Sequence, residues 1–144
     1  MPEPEAAIIS KLPLVGTTIF SVMSQLAAEC GALNLSQGFP EFDAPEALRE
    51  ALVRHVNDAR NQYAPMTGMP ELRQQLANKL VQQHGVRLCP DKQLTITHGA
   101  TEALFVSIQA VVGNGDEVIV FDPAYDSYEP AVTLAGGRTL HMPL

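Results

Sequence analysis

The chain has 144 residues, 46% of them hydrophobic, which is enough to bury the core of one ordinary domain. With 9 Lys and Arg against 16 Asp and Glu its formal charge is −7, so neither nucleic acid nor a membrane surface is an expected partner. Cys30 and Cys89 lack CxxC or metal-ligand spacing, which predicts two reduced thiols. No apolar run approaches the roughly 18 residues of a membrane span and residues 1–5 are acidic, so the sequence predicts a cytoplasmic protein.

Proline, glycine and apolar spacing predict the elements of the first half of the chain. Gly31 follows a helical pattern of apolar residues at the position of a C-cap glycine. Asp43 and Pro45 stand where an N-cap carboxylate and a first-turn proline open a helix, and Pro70 opens another. The predicted elements are an extended arm over residues 1–16, a helix over 17–30, a short strand over 33–36, a helix over 44–58, a loop over 61–69 and a helix from Pro70 to near Gly85.

The second half alternates between β-type and helical patterns. Its predicted elements are a β run over 94–97, a helix after Gly99, a strand over 118–121, a helix near 127–135 and a strand near 138–142. This order predicts an α/β fold with parallel strands, whose ligand sites lie at the carboxyl ends of the strands. The strand over 118–121 is apolar on both faces, as in a buried parallel strand. Three strands make an incomplete sheet, so the chain is expected to be the first part of a larger domain.

Two strand ends carry residues that favour a ligand site. The turn Thr97-His98-Gly99-Ala100-Thr101 leads into a helix N-terminus, where glycine and backbone N–H groups can cradle an anion or can simply cap the helix. Tyr125 follows the next strand and would either project over that turn or cover the sheet edge. An anion site beside an aromatic ring is typical of a site for a flat, phosphorylated ring. Neither a GxGxxG fingerprint nor a P-loop occurs, so a dinucleotide or a triphosphate has no support.

Four ordered motifs carry a resemblance to a known family. They are Asn34-Leu35-Ser36-Gln37-Gly38-Phe39-Pro40, Asn61-Gln62-Tyr63-Ala64-Pro65 with Gly68 and Leu72-Arg73, Thr97-His98-Gly99-Ala100-Thr101-Glu102, and Asp122-Pro123-Ala124-Tyr125. In order and spacing they resemble the class I/II pyridoxal-phosphate aminotransferases of fold type I, especially the methionine, glutamine and kynurenine branch. The resemblance implies an N-terminal arm and small-domain segment over 1–43. It also implies the first βαβαβ part of the cofactor-binding large domain over 44–144, with its sheet incomplete.

The resemblance implies a role for each matching residue. Backbone N–H groups of Gly99, Ala100 and Thr101 would hold the phosphate of pyridoxal 5′-phosphate, and the Tyr125 ring would stack on the pyridine. Tyr63 would reach across a homodimer to the phosphate bound by the neighbouring subunit. Residues expected to line the substrate side, near the amino acid's carboxylate, are Ser36, Gly38 and Phe39.

The implied function is transfer of an amino group to a 2-oxo acid from an amino acid of the methionine, glutamine or aromatic type. The family's Schiff-base lysine lies outside the matched motifs. Lys11, Lys79 and Lys92 lack the desolvated setting that lowers an amine's pKa for imine formation, so none of them is expected to take its place. No catalytic residue is therefore assigned to this chain, and no metal site is expected. Two alternatives stay open: a C–S lyase of the same family, and a truncated binding or interaction module.

Overall fold

The computed structural model describes residues 9–38 and 40–144, and every structural statement below refers to them. Residues 1–8 of the predicted arm lie outside this description, and residues 9–16 form neither helix nor strand. The elements are α1 (Ile19–Cys30), α2 (Glu46–Asn57), α3 (Pro70–His84), α4 (Gly99–Val111), β1 (Glu117–Asp122), α5 (Tyr128–Leu134) and β2 (Arg138–Pro143). In this part of the chain, no helix is long and apolar enough to cross a bilayer.

The chain divides into two compact units. One comprises the described residues of Met1–Gly38 together with Gly99–Leu144, and therefore holds α1, α4, α5 and both strands. The other is Phe39–His98, which holds α2 and α3. The predicted division at residue 43 concerns the arrangement of the complete protein and stays a prediction.

The helix α1 ends at the predicted residue and begins two residues after the predicted start, with Thr18 as its N-cap. The Thr18 hydroxyl accepts a hydrogen bond from the Ser21 backbone N–H at 3.4 Å, which satisfies one of the unpaired donors of the first turn. At the other end Gly31 takes the left-handed conformation with φ of 60°, and Ala32 N–H returns to the Ala27 carbonyl at 2.9 Å. A glycine is favoured here because it adopts positive φ without steric cost.

The predicted cap of α2 is wrong. Pro45 occupies the N-cap position and no side chain bonds to the first turn, so Asp43 does not cap the helix. The Asp43 carboxylate instead lies 3.5 Å from Arg49 Nη1, with both side chains largely exposed. Proline fixes the entry backbone and Glu46 places a negative charge at the positive end of the helix dipole, which opens α2 without a side-chain cap.

A buried arginine organises the second unit. The Arg73 side chain is only 7% exposed, and its Nε donates to the Gly68 carbonyl at 3.2 Å. Its Nη1 donates to the Pro90 carbonyl and to Asp91 Oδ1, the latter at 3.2 Å. A Cβ built on Gly68 would lie 2.6 Å from Ile96 Cβ, so only glycine allows this close approach. Arg73 thus joins the first turn of α3 to the segments on either side.

The sheet of the first unit is a parallel pair joined by a crossover through α5. In its register Val120 of β1 lies opposite His141 of β2. Val120 is buried, and Ala131 and Val132 of α5 are buried as well, with Val132 fully enclosed. The opposite face is open, since Ile119 and Phe121 are each 56% exposed. The prediction that β1 is buried on both faces is therefore wrong, because the described residues of the unit leave the second face largely exposed.

Two predicted strands do not form. Residues 33–36 and 94–97 are extended or bent without strand pairing. The Ile96 N–H donates to the Thr67 carbonyl at 3.0 Å, but one bond does not make a ladder. A β-type sequence becomes a strand only where a neighbour supplies a row of partners, and the described residues supply none for these two runs. The α/β class is confirmed, with a sheet of two strands instead of three.

Candidate cofactor site

The N-terminus of α4 has the backbone of an anion cradle. Gly99 adopts φ of 84°, a conformation that side chains rarely permit, and nothing lies within 4 Å of the position its Cβ would take. Gly99, Ala100 and Thr101 are the first three residues of α4, so their backbone N–H groups lie at the positive end of the helix dipole. These donors and the positive end of the helix dipole favour a negatively charged ligand.

The structure brings Thr101 and Tyr125 together. Thr101 Oγ1 lies 3.1 Å from the Tyr125 hydroxyl, which is hydrogen-bonding distance. Tyr125 stands three residues after the end of β1, and Tyr128 meets its ring edge-on, with the ring centroids 5.8 Å apart. Tyr125 stays 42% exposed, so these contacts position the ring while leaving surface for a ligand. The predicted proximity of strand end and helix N-terminus is thus observed.

Charged residues gather at the same end of the sheet. His141 Nδ1 lies 3.0 and 3.1 Å from the two carboxylate oxygens of Asp122, the last residue of β1. His141 Nε2 lies 3.9 Å from Glu129 Oε2 on α5. The hydrogen bond that His141 donates to Asp122 raises the pKa of His141 above its ordinary value, and the charges of Asp122 and Glu129 raise it further, while desolvation opposes the rise.

Sequence reasoning missed this cluster. Asp122 and His141 are 19 residues apart and share no motif. Only the parallel register, which sets Asp122 opposite Pro143, places Asp122 and His141 on the same face of the sheet. Alternation of residues along the two predicted strands is the one signal that could have suggested the pair.

Two of the predicted substrate-side residues, Ser36 and Gly38, lie in the segment that follows α1. Ser36 donates its hydroxyl and its backbone N–H to Asn34 Oδ1, at 2.6 and 3.0 Å. Asn34 Nδ2 in turn donates to Ser24 Oγ at 3.1 Å, which ties the turn to the helix. Gly38 is exposed with open space around its Cβ position, and Phe39 lies outside the described residues. Their substrate-binding role stays a prediction.

Tyr63 belongs to the other unit, in the loop before α3. Its side chain is fully exposed. An exposed tyrosine of this kind suits contact with a second molecule, but its role toward a cofactor stays a prediction.

The described residues contain no group of three His, Cys, Asp or Glu side chains placed to hold a metal ion. Cys30 and Cys89 are both free thiols with exposed positions.

Fold and site together define a class of protein. A parallel β-α-β crossover with a helix N-terminus and a tyrosine at the strand ends is typical of α/β enzymes that bind phosphorylated cofactors. Residues 31–144 match the family described as aminotransferase class I and II. The chain belongs to this family.

Relatives within the family agree with this assignment. The chain is 55% identical over 135 residues to methionine aminotransferase of Escherichia coli strain K12, covering 94% of the chain and 35% of that protein. It is 38% identical to a probable N-succinyldiaminopimelate aminotransferase of Mycobacterium tuberculosis, covering 94% of the chain and 34% of that protein. The crystal structure of Escherichia coli YbdL, identified as having a methionine aminotransferase function, matches with a TM-score of 0.90 at 54% identity over 96% of the chain and 36% of that structure. The chain thus spans about a third of the length of these relatives.

Enzymes of this family depend on pyridoxal 5′-phosphate. The residues present fit a phosphorylated pyridine in two respects. The positive φ of Gly99 and the open space at its Cβ position suit close approach of an anion to the backbone. The partly exposed ring of Tyr125, held beside Thr101, suits stacking against a flat heterocycle.

Proposed function

We propose that the complete protein is a pyridoxal-phosphate aminotransferase that moves an amino group from an amino acid to a 2-oxo acid. The observation that carries the proposal is the hydrogen bond of 3.1 Å between Thr101 and Tyr125, which sets an aromatic ring beside the N-terminus of α4. The family assignment over residues 31–144 supports the same reading. The bound cofactor supplies an electron sink at the reacting amino acid.

Each residue of the cradle has its own task in this proposal. The N–H groups of Gly99, Ala100 and Thr101 donate hydrogen bonds to phosphate oxygens, and charge-assisted bonds of this kind are stronger than neutral ones. Tyr125 holds the plane of the pyridine by stacking, which orients the ring toward the substrate. Because stacking is worth only about 1–3 kcal/mol, the backbone donors carry more of the cofactor affinity than the ring does.

The finer assignments rest on the sequence and on the relatives. We propose a donor of the methionine, glutamine or aromatic type, supported by the 55% identity to methionine aminotransferase of Escherichia coli. Ser36, Gly38 and Phe39 are proposed to line the substrate side. A homodimer, in which Tyr63 reaches the neighbouring subunit's phosphate, is supported by the full exposure of Tyr63. Cytoplasmic location stays a prediction that cell fractionation tests.

Titration of the complete apoprotein with pyridoxal phosphate tests the cradle. Gly99→Pro removes one N–H donor and forces φ from 84° to about −65°, whereas Tyr125→Ala removes only the stacking ring. We expect Gly99→Pro to lose affinity far more severely than Tyr125→Ala, with circular dichroism showing that both variants are folded. If folded Gly99→Pro binds the cofactor as the parent does, the phosphate assignment at this turn is wrong.

Product analysis tests the reaction. Incubation of the complete protein with methionine and a 2-oxo acid should yield the amino acid formed from that 2-oxo acid, together with the 2-oxo acid of methionine. Release of a thiol, with no amino group transferred, would identify a C–S lyase instead. Size-exclusion chromatography with light scattering checks the homodimer, and a monomer at micromolar concentration would contradict the role proposed for Tyr63.

A further inference from the structure

His141 links the strand end to the helix that follows it. Its imidazole contacts Asp122 of β1 at 3.0 Å through Nδ1 and faces Glu129 of α5 at 3.9 Å through Nε2. Both carboxylates flank the turn that contains Tyr125, because Asp122 precedes that turn and Glu129 follows it in the first turn of α5. One side chain therefore bridges the two ends of the segment that presents the tyrosine.

We propose that His141 is a positioning residue for cofactor binding: it holds Asp122 at the end of β1 and so keeps Tyr125 beside Thr101. This inference rests on the proposed function, since it concerns binding of the same cofactor. His141 itself is not placed against the cofactor. It acts through the backbone of residues 123–127, whose middle residue Tyr125 is hydrogen-bonded to Thr101.

Protonation of His141 strengthens the bridge. A neutral imidazole donates one N–H, to Asp122 here, whereas the imidazolium donates from both nitrogens and attracts both carboxylates. The neighbouring charges come from β1, with Asp122, and from α5, with Glu129. Lys11 lines a small groove together with Glu129. On β2 itself Arg138 pairs with Glu117 at the opposite end of the sheet.

The sign of the pH dependence follows from these partners. The folded protein raises the pKa of His141 above 6.5. The attraction of the imidazolium for Asp122 and Glu129 is therefore fully present below pH 6.5. This attraction is lost as the pH rises through the raised pKa of His141. Cofactor affinity should therefore contain a component that weakens with increasing pH and that depends on His141.

Histidine NMR of the complete apoprotein, labelled at 13Cε1, tests the bridge without any cofactor. The His141 resonance is assigned by its absence from His141→Gln. Its titration midpoint should lie above 6.5 in the parent and should fall in Asp122→Asn, which keeps the side-chain shape but removes the charge. An unchanged His141 midpoint in Asp122→Asn would overturn the bridge.

Cofactor affinity at pH 6.0 and pH 8.5 tests the positioning role. At pH 6.0 His141→Gln should weaken binding of pyridoxal phosphate by about two- to fivefold, the range expected for an exposed ion pair, with a smaller effect at pH 8.5. Asp122→Asn should show the same loss of pH dependence, and it serves as the second variant if His141→Gln folds poorly. His84→Gln, the matched control, should bind as the parent does at both pH values.

A double variant separates positioning from packing. If His141 acts through Tyr125, His141→Gln should have no further effect on affinity in a Tyr125→Ala background. Equal weakening at both pH values, or full additivity with Tyr125→Ala, would assign His141 a packing role and overturn the inference. A parent protein that binds no pyridoxal phosphate refutes the proposed function itself. A parent that binds the cofactor, with His141→Gln matching it at both pH values, overturns this inference alone.

Discussion

Replacing Gly99 with alanine isolates the conformational role of the phosphate turn. A methyl group at this position meets no atom within 4 Å, so the cost arises from the backbone and not from a steric clash. An L-residue at φ of 84° costs about 1–2 kcal/mol. If the alanine variant relaxes to negative φ in the apoprotein, cofactor binding must restore the strained conformation. Since 1.4 kcal/mol corresponds to about tenfold, affinity should fall about 5- to 30-fold.

Gly115 provides a matched control in the same unit. It adopts φ of 85°, and its Cβ position is equally open. Gly115 lies in the turn before β1, where its N–H donates to the Gly136 carbonyl at 2.8 Å, and it belongs to the opposite end of the strand from Tyr125. Gly115→Ala should therefore lower the midpoint of thermal unfolding, because its strain is present in the apoprotein, while cofactor affinity stays at the parent value.

The assay is equilibrium titration of both complete apoproteins with pyridoxal phosphate, accompanied by thermal unfolding of each. Two outcomes would refute the reasoning. Parent-like affinity in Gly99→Ala would show that the left-handed conformation is not needed for binding. An equal loss of affinity in Gly115→Ala would show that the effect is one of global stability.

Three further predictions concern stability and surface. Thr101→Val and Tyr125→Phe should each lower the free energy of unfolding in urea by about 0.5–1.5 kcal/mol. The double variant should lower it no more than either single variant, because the same hydrogen bond is lost in every case; additive losses would contradict this. Arg73→Met should destabilise by about 2–4 kcal/mol because the part-buried carbonyls of Gly68 and Pro90 lose their donor, whereas the exposed Arg49→Met should cost less than about 1 kcal/mol. Similar costs would be inconsistent with the burial of Arg73. Phe121→Ser should reduce binding of an apolar fluorescent dye to the 144-residue chain, and unchanged fluorescence would mean that this sheet face is covered.

Local chemistry made most of the helices predictable. Gly31 and Gly85 end α1 and α3 in left-handed caps, and Pro70 opens α3, as their sequence contexts predicted. These signals act within one helical turn, so they depend little on the rest of the fold. Asp43 shows the limit of such reasoning, because its carboxylate can interact either with the helix N-terminus or with Arg49, and in the structure it lies beside Arg49.

The candidate site was predictable to the level of motifs and elements. Gly99 at a helix start and Tyr125 after a strand were recognised from the order of the elements, and the structure joins that helix start to Tyr125 through Thr101. Burial of Arg73 was not predictable, since an arginine on a helix is usually solvated and only the fold brings carbonyl acceptors around it. The bridge from His141 to Asp122 required the strand register.

The sequence by itself determined the family, most of the helix ends, and the residues suited to binding an anion and to stacking on a flat ring. Each of these depends on residues that lie close together along the chain. Tertiary structure alone decided which β-type runs become strands and which charged side chains meet. Strand formation at 117–122 and 138–143, but not at 94–97, depends on whether a neighbour supplies the hydrogen-bond ladder. A partner 19 residues away, as Asp122 is from His141, becomes a neighbour only when two strands lie parallel in one register.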